Sequence, residues 1–321
     1  MCSNNDIYKS EIIFFRTNLK LQYHIIRVSH TYVDSFFQIG MVEQYGYPAE
    51  EHSVITEDGY HLQIHRIPGS PLWKDKKKKN VVFIQHGILS SSESWVMFGP
   101  GKDLPFLLAD QGYDVWLGNI RGNSYCRLHL NMTIYDRKFW QFSFHEVALM
   151  DLPVMFDYVL NYTGQEKMHY VSHSMGSTIL FVLLSMKPEY NAKIQLSVSL
   201  GPSAFWKKVM PTFRQIVNTA PVLTAFFAKH NIYDFLPQSA TMVGIGRNFC
   251  CDGAITQPIC IAIYFIIAGA DPLQINTVSY VFAKVHIILE LFSLLITIRC
   301  HDILIIVLIV VINNLLPLFG Q

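Results

Sequence analysis

Ser172-His173-Ser174-Met175-Gly176 places a hydroxyl between small residues. The run before it, Met168-His169-Tyr170-Val171, reads as a buried strand, and Ser177 to Met186 reads as a helix. A serine at so sharp a strand-to-helix turn projects beyond the sheet and faces the positive end of the next helix, the setting of a nucleophile in acyl transfer. An incidental serine turn is the plainer alternative. Ser172 stands where such turns usually carry glycine, and Gly176 supplies the second small residue. Acyl transfer also needs two backbone donors for a tetrahedral oxyanion. The Met175 amide is one candidate, and the turn His86-Gly87-Ile88 offers the other through the Ile88 amide. At that position His86 is expected to shape the donor loop rather than to move a proton.

These groups need a rigid sheet, and the chain supplies one by alternation. His52 to Thr56 and Tyr60 to Ile67 are β-rich runs around Glu57-Asp58-Gly59, which predicts an antiparallel hairpin. Val81 to Gln85 and Tyr113 to Leu117 are short, continuously apolar strands, with Leu104 to Gln111 between them as a helix. Phe144 to Leu160 carries helical periodicity interrupted near Pro153, and Ile194 to Leu200 is the strand after the serine-bearing turn and its helix. Repeated strand-helix-strand units predict an α/β fold with a mostly parallel sheet covered on both faces. After Gly201-Pro202 the alternation stops, and prolines punctuate a helical, irregular stretch.

Composition excludes several classes. The chain has 321 residues, 51% hydrophobic and 15% charged, with a formal net charge of +1, which fits a large core and argues against disorder and against nucleic acid as a partner. Lys74 to Lys79, interrupted by Asp75, reads as a solvated loop, with a localisation signal as the alternative. The six cysteines form no C-x-x-C pair and no zinc spacing, so no metal is expected. His145-Glu146 lacks a second histidine at Leu149, and Gly244-x-Gly246 lacks the third glycine and preceding strand of a dinucleotide loop; no cofactor is implied. Asn131-Met132-Thr133 and Asn161-Tyr162-Thr163 are glycosylation acceptor triplets compatible with a secretory route, although no signal peptide is visible. From Val281 onward the chain is mostly apolar, and 287–319 is a candidate for membrane association, short of the run a spanning helix needs.

Several motifs taken together carry a resemblance. Gly46-Tyr47-Pro48-Ala49-Glu50-Glu51, Thr56-Glu57-Asp58-Gly59-Tyr60, Gln85-His86-Gly87, Gly112 to Asn119 with Arg121-Gly122-Asn123, Phe139-Trp140 and His173-Ser174-Met175-Gly176 resemble the acid lipase family, which contains the lysosomal and gastric lipases and their insect relatives. The resemblance runs from about Gly46 to about Thr277. It implies an N-terminal segment over 1–45, an α/β-hydrolase core over 46–201, a lid over 202–277 and a non-family tail over 278–321. It further implies hydrolysis of neutral lipid esters in the secretory pathway, a lid disulfide between Cys251 and Cys260, contact with a lipid interface, and an acid and a histidine base after the lid. Neither late motif is found here, so the fold is expected to be C-terminally incomplete and this chain's activity low, a non-catalytic lipid-binding or membrane-tethered protein being the alternative. Of the residues after Ser174, the histidines are His230, His286 and His301, and Asp234, Asp252 and Asp271 are the aspartates that precede a histidine; none matches the family pattern. The Val278-Ser279 junction can be encoded by GTAAGT, a splice-donor consensus, so translation into a retained intron is one expected origin of the tail.

Overall fold

The computed structural model describes residues 39–73, 79–88 and 90–202, together with short pieces at 218–219, 221–222, 225–230, 233 and 255–259. Its framework is a mixed sheet: β1 (Glu50–Ile55), β2 (Tyr60–Ile67), β3 (Val81–Gln85), β4 (Asp114–Gly118), β5 (Leu128–His129), β6 (Met168–His173) and β7 (Ile194–Leu200). The order across the sheet is β1-β2-β4-β3-β6-β7, with the two-residue β5 paired to the end of β2. β1, β2 and β4 are antiparallel neighbours, and β4-β3-β6-β7 run parallel. The hairpin therefore closes one side of a parallel sheet whose other described edge is β7. The sheet thus has the α/β character its alternation predicts.

Both faces are covered, which is why β3 and β4 are buried at every position. On one face Val82, Ile84, Val115, Leu117 and Val171 pack with Phe106 and Ala109 of α1 (Leu104–Asp110). On the other, Phe83, Trp116, Met168 and Tyr170 meet Met155, Phe156 and Val159 of α3 (Leu152–Thr163) and Ile179, Leu180 and Leu183 of α4 (Met175–Met186). The period of two along each strand sorts these side chains to opposite faces. β7 differs: Leu196, Val198 and Leu200, two residues apart and so on one face, are exposed.

Two predicted elements change shape. The long helix is not interrupted at Pro153. α2 (Phe144–Glu146), capped by Ser143 through a capping box with Glu146, runs into a π-turn at Val147–Asp151 and then into α3, where Pro153 occupies the first turn. Proline lacks an N–H that the first turn would leave without a helical partner, so it is accommodated there. The serine-bearing turn is also tighter than predicted, and α4 begins at Met175, directly after Ser174.

The π-turn has a visible use, because it carries Asp151 to Arg121, both fully buried. The Arg121 Nε donates to Asp151 Oδ1 at 2.7 Å and the Arg121 backbone N–H donates to Asp151 Oδ2 at 3.0 Å. The other side of the guanidinium reaches the hairpin turn, with Nη1 2.6 Å and Nη2 3.0 Å from the Asp58 carboxylate, and its carbon lies 4.0 Å from the Tyr60 ring centroid. One arginine thus binds the hairpin, the loop after β4 and the helical layer.

Candidate active site

Ser174 sits between β6 and α4 with φ 50° and ψ −117°, and among the described residues no other non-glycine has a positive φ. Such a conformation costs a non-glycine residue on the order of 1–3 kcal/mol and persists only where its surroundings hold it. The surroundings are identifiable. Ser174 N–H donates to the Leu200 carbonyl at 3.0 Å, which ties the turn to the end of β7, and the Ser174 carbonyl accepts from Ser177 N–H at 2.9 Å. The Tyr170 hydroxyl donates to the Gly176 carbonyl at 2.8 Å. Ser172, in the position where glycine is usual, is fully buried with its hydroxyl 2.9 Å from that of Ser177, so its one polar atom has a partner and the substitution is accommodated.

Gly176 is needed for closeness. A Cβ there would lie 2.7 Å from the Gln85 carbonyl oxygen and 2.8 Å from that of His86, so only glycine lets α4 start against the end of β3. That contact brings the His86-Gly87-Ile88 turn onto the serine. A Cβ on Gly87 would stand 3.1 Å from Ser174 Cβ and 3.1 Å from His173 Nδ1. Ser174, Met175, Gly176, His86, Gly87 and Ile88 are therefore gathered at the carboxyl ends of β3 and β6, the side of a parallel sheet where ligands bind.

Among the described residues, Ser174 Oγ and the Ile88 and Met175 N–H groups take part in no hydrogen bond. A hydroxyl with one free amide in its own turn and another in the turn packed against it can serve attack on a carbonyl if both amides face the developing oxyanion. Burial holds the His173 imidazolium below the usual histidine range.

His86 is buried, with Nδ1 2.7 Å from the Gly87 carbonyl and Nε2 3.3 Å from Asn123 Nδ2. Behind it lies a polar layer that periodicity could not reveal. Asn123 Nδ2 donates to Asn119 Oδ1 at 2.8 Å, Ser92 N–H donates to the same oxygen at 2.9 Å, and Asn119 Nδ2 donates to Ser92 Oγ at 2.9 Å. Ser92 Oγ is 2.8 Å from Nδ1 of His65, whose imidazolium burial disfavours. The available signal was a run of polar residues, Asn119, Arg121 and Asn123, directly after a fully buried strand.

The expected disulfide partners Cys251 and Cys260 lie outside the described residues, as do Asp234, Asp252, Asp271, His286 and His301, which match no family motif. His230 is described; it is exposed, and its ring centroid lies 4.5 Å from that of Phe226 with the two planes tilted by 50°. The lid and tail divisions, 202–277 and 278–321, fall almost wholly outside as well. No described helix is long and apolar enough to cross a membrane.

Comparison with known proteins shows the family and the fold. Residues 39–99 match the family model for a partial α/β-hydrolase lipase region, and residues 80–239 match that for the α/β hydrolase fold. The chain is 39% identical over 238 residues to Lipase 3 of Drosophila melanogaster, covering 73% of this chain and 60% of that protein. It is 38% identical over 240 residues to human lysosomal acid lipase/cholesteryl ester hydrolase, covering 74% and 59%. To human gastric triacylglycerol lipase it is 39% identical over 245 residues, covering 74% and 59%. The chain thus spans about three fifths of the length of these relatives.

Proposed function

Because the chain belongs to the acid lipase family of α/β-hydrolases, we propose that it is a carboxylic-ester hydrolase acting on neutral lipid esters, with Ser174 as nucleophile and the Ile88 and Met175 amides as oxyanion donors. The observation that carries this reading is the strained backbone of Ser174 at the strand-helix junction, against the Gly87 turn. Ser174 Oγ attacks the ester carbonyl carbon while its proton passes to a base. The carbonyl oxygen takes the electron pair and is met by the two amides. Collapse of the tetrahedral intermediate expels the alcohol, which takes up that proton, and water then releases the acyl group by the same steps.

The family's base is a histidine that follows the lid, preceded by an acid. No histidine after Ser174 stands in the family's pattern, and without such a base turnover falls by on the order of 10⁶. The lysosomal and gastric relatives support a secretory-pathway location, where Cys251 and Cys260 would be joined. Recovery of the chain from the cytosol with both thiols free would refute that placement. For the activity, the test is hydrolysis of an emulsified triacylglycerol and a soluble short-chain ester by the full chain and by Ser174→Ala. Release of fatty acid above the Ser174→Ala background supports the reading; equal rates from both proteins overturn it.

A further inference from the structure

The hydrogen bonds around Asn123 determine where protons sit, and they do so without reference to the reaction. Tyr125 N–H donates at 3.0 Å to the Asn123 side chain, and only the amide oxygen can accept it. The other end of that amide is therefore the NH₂ group, and this is the end that meets Asn119 Oδ1 at 2.8 Å and His86 Nε2 at 3.3 Å. Asn119 is oriented by the same reasoning, since its Oδ1 receives Ser92 N–H at 2.9 Å. A ring nitrogen facing an NH₂ donor must offer its lone pair, so His86 Nε2 carries no proton and Nδ1 does. That Nδ1–H points at the Gly87 carbonyl 2.7 Å away.

The Gly87–Ile88 peptide is trans, so its C=O and N–H point in opposite directions. Holding the carbonyl on the His86 side turns the Ile88 N–H away from His86. Gly87 itself lies against Ser174 Cβ, and the Ile88 N–H has no partner among the described residues. We propose that Asn123 is a positioning residue: by fixing His86 in the Nδ1–H form it locks the Gly87–Ile88 peptide with its N–H presented to the oxyanion formed at Ser174. This rests on the lipase reading for what the N–H does, and on hydrogen-bond geometry alone for the tautomer.

The experiment has two arms, read separately. In the first, nitrogen NMR of the full chain with labelled histidine, at about pH 8.5 where the ring carries one proton, reports the His86 tautomer. The expected result is a protonated Nδ1 and a bare Nε2; a proton on Nε2 overturns the proposal whatever the enzyme does. In the second, Asn123→Asp puts an acceptor in place of the donor, which should move the proton to Nε2 and slow acylation of Ser174 by a fluorophosphonate on the order of 10- to 100-fold. Acylation at the wild-type rate with the proton moved overturns the proposal. Should that variant fail to fold, His86→Asn, whose amide nitrogen stands in for Nδ1, is compared with His86→Gln, whose nitrogen stands in for Nε2. The Asn variant is expected to be the faster, and equal or reversed rates overturn the proposal. If the wild-type chain neither hydrolyses ester nor takes label, the lipase reading fails while the tautomer arm still decides the role of Asn123.

Discussion

Gly176→Ala measures how closely the serine turn is pressed against β3. Alanine is the better helix former by up to about 1 kcal/mol, which by itself would stabilise α4. Opposing it, the new methyl would sit 2.7 Å and 2.8 Å from the carbonyl oxygens of Gln85 and His86, and both belong to backbone that cannot rotate away. Forcing such a contact open costs about 1–3 kcal/mol and moves α4 off the sheet. The expected net loss is about 1–2 kcal/mol in urea unfolding, with a lower melting temperature by about 2–6 °C. Acylation should fall more than stability does, because Ser174 and the Met175 amide move with the helix. Gly87→Ala is the control. Its nearest neighbours at 3.1 Å are side-chain atoms, so the fold should yield by tenths of an ångström and keep its stability while the methyl crowds the nucleophile. A Gly176→Ala protein as stable as wild type, or more so, would refute the close approach from which the site is built.

Arg121→Leu should lower stability by about 3–5 kcal/mol in denaturant titration, because it strands the buried Asp151 carboxylate and frees Asp58; Arg121→Lys should rescue little of this, since an ammonium cannot span both carboxylates. One guanidinium shared by two acids cannot neutralise both, and the more buried of them is the readier to take a proton: burial raises Asp151 from the usual 3.8 to about 6 despite Arg121, while Asp58 is lowered. A raised carboxyl favours the fold when protonated, so its contribution is fully present below about pH 4 and is lost as pH rises through about 6, on the order of 2–3 kcal/mol in all. The buried His65, its imidazolium disfavoured, works in the opposite sense as pH falls below its usual 6.5. Comparing unfolding free energies near pH 5 and near pH 7.5, Asp151→Asn should remove an acid-side advantage of about 1–2 kcal/mol; an unchanged difference would show that Asp151 does not titrate in this window.

Periodicity and turn chemistry made the sheet legible. Val81–Gln85 and Ile194–Leu200 form over the predicted residues, and the hairpin turns at Gly59 with φ +98°. β5 was missed because two residues carry no period, and the π-turn because its cause is distant: Asp151 must reach Arg121 across the layer between them. α4 starts earlier than its apolar pattern because Met175 and Gly176 serve the turn and the helix at once. Ser174, Gly87 and Ile88 could be read from local motifs, each carrying its chemistry in a few adjacent residues. The layer of Ser92, Asn119 and Asn123 could not, since Ser92 follows β3 while the two asparagines follow β4, and each looks like an ordinary polar loop residue until the hydrogen bonds join them.

Whether Ser174 is the nucleophile is decided by prolonged exposure of the full chain to a fluorophosphonate, followed by peptide mass mapping. A single adduct is expected on the peptide bearing Ser174, forming slowly unless a base reaches it and absent from Ser174→Ala. An adduct on another residue, or an unchanged adduct in Ser174→Ala, would contradict it.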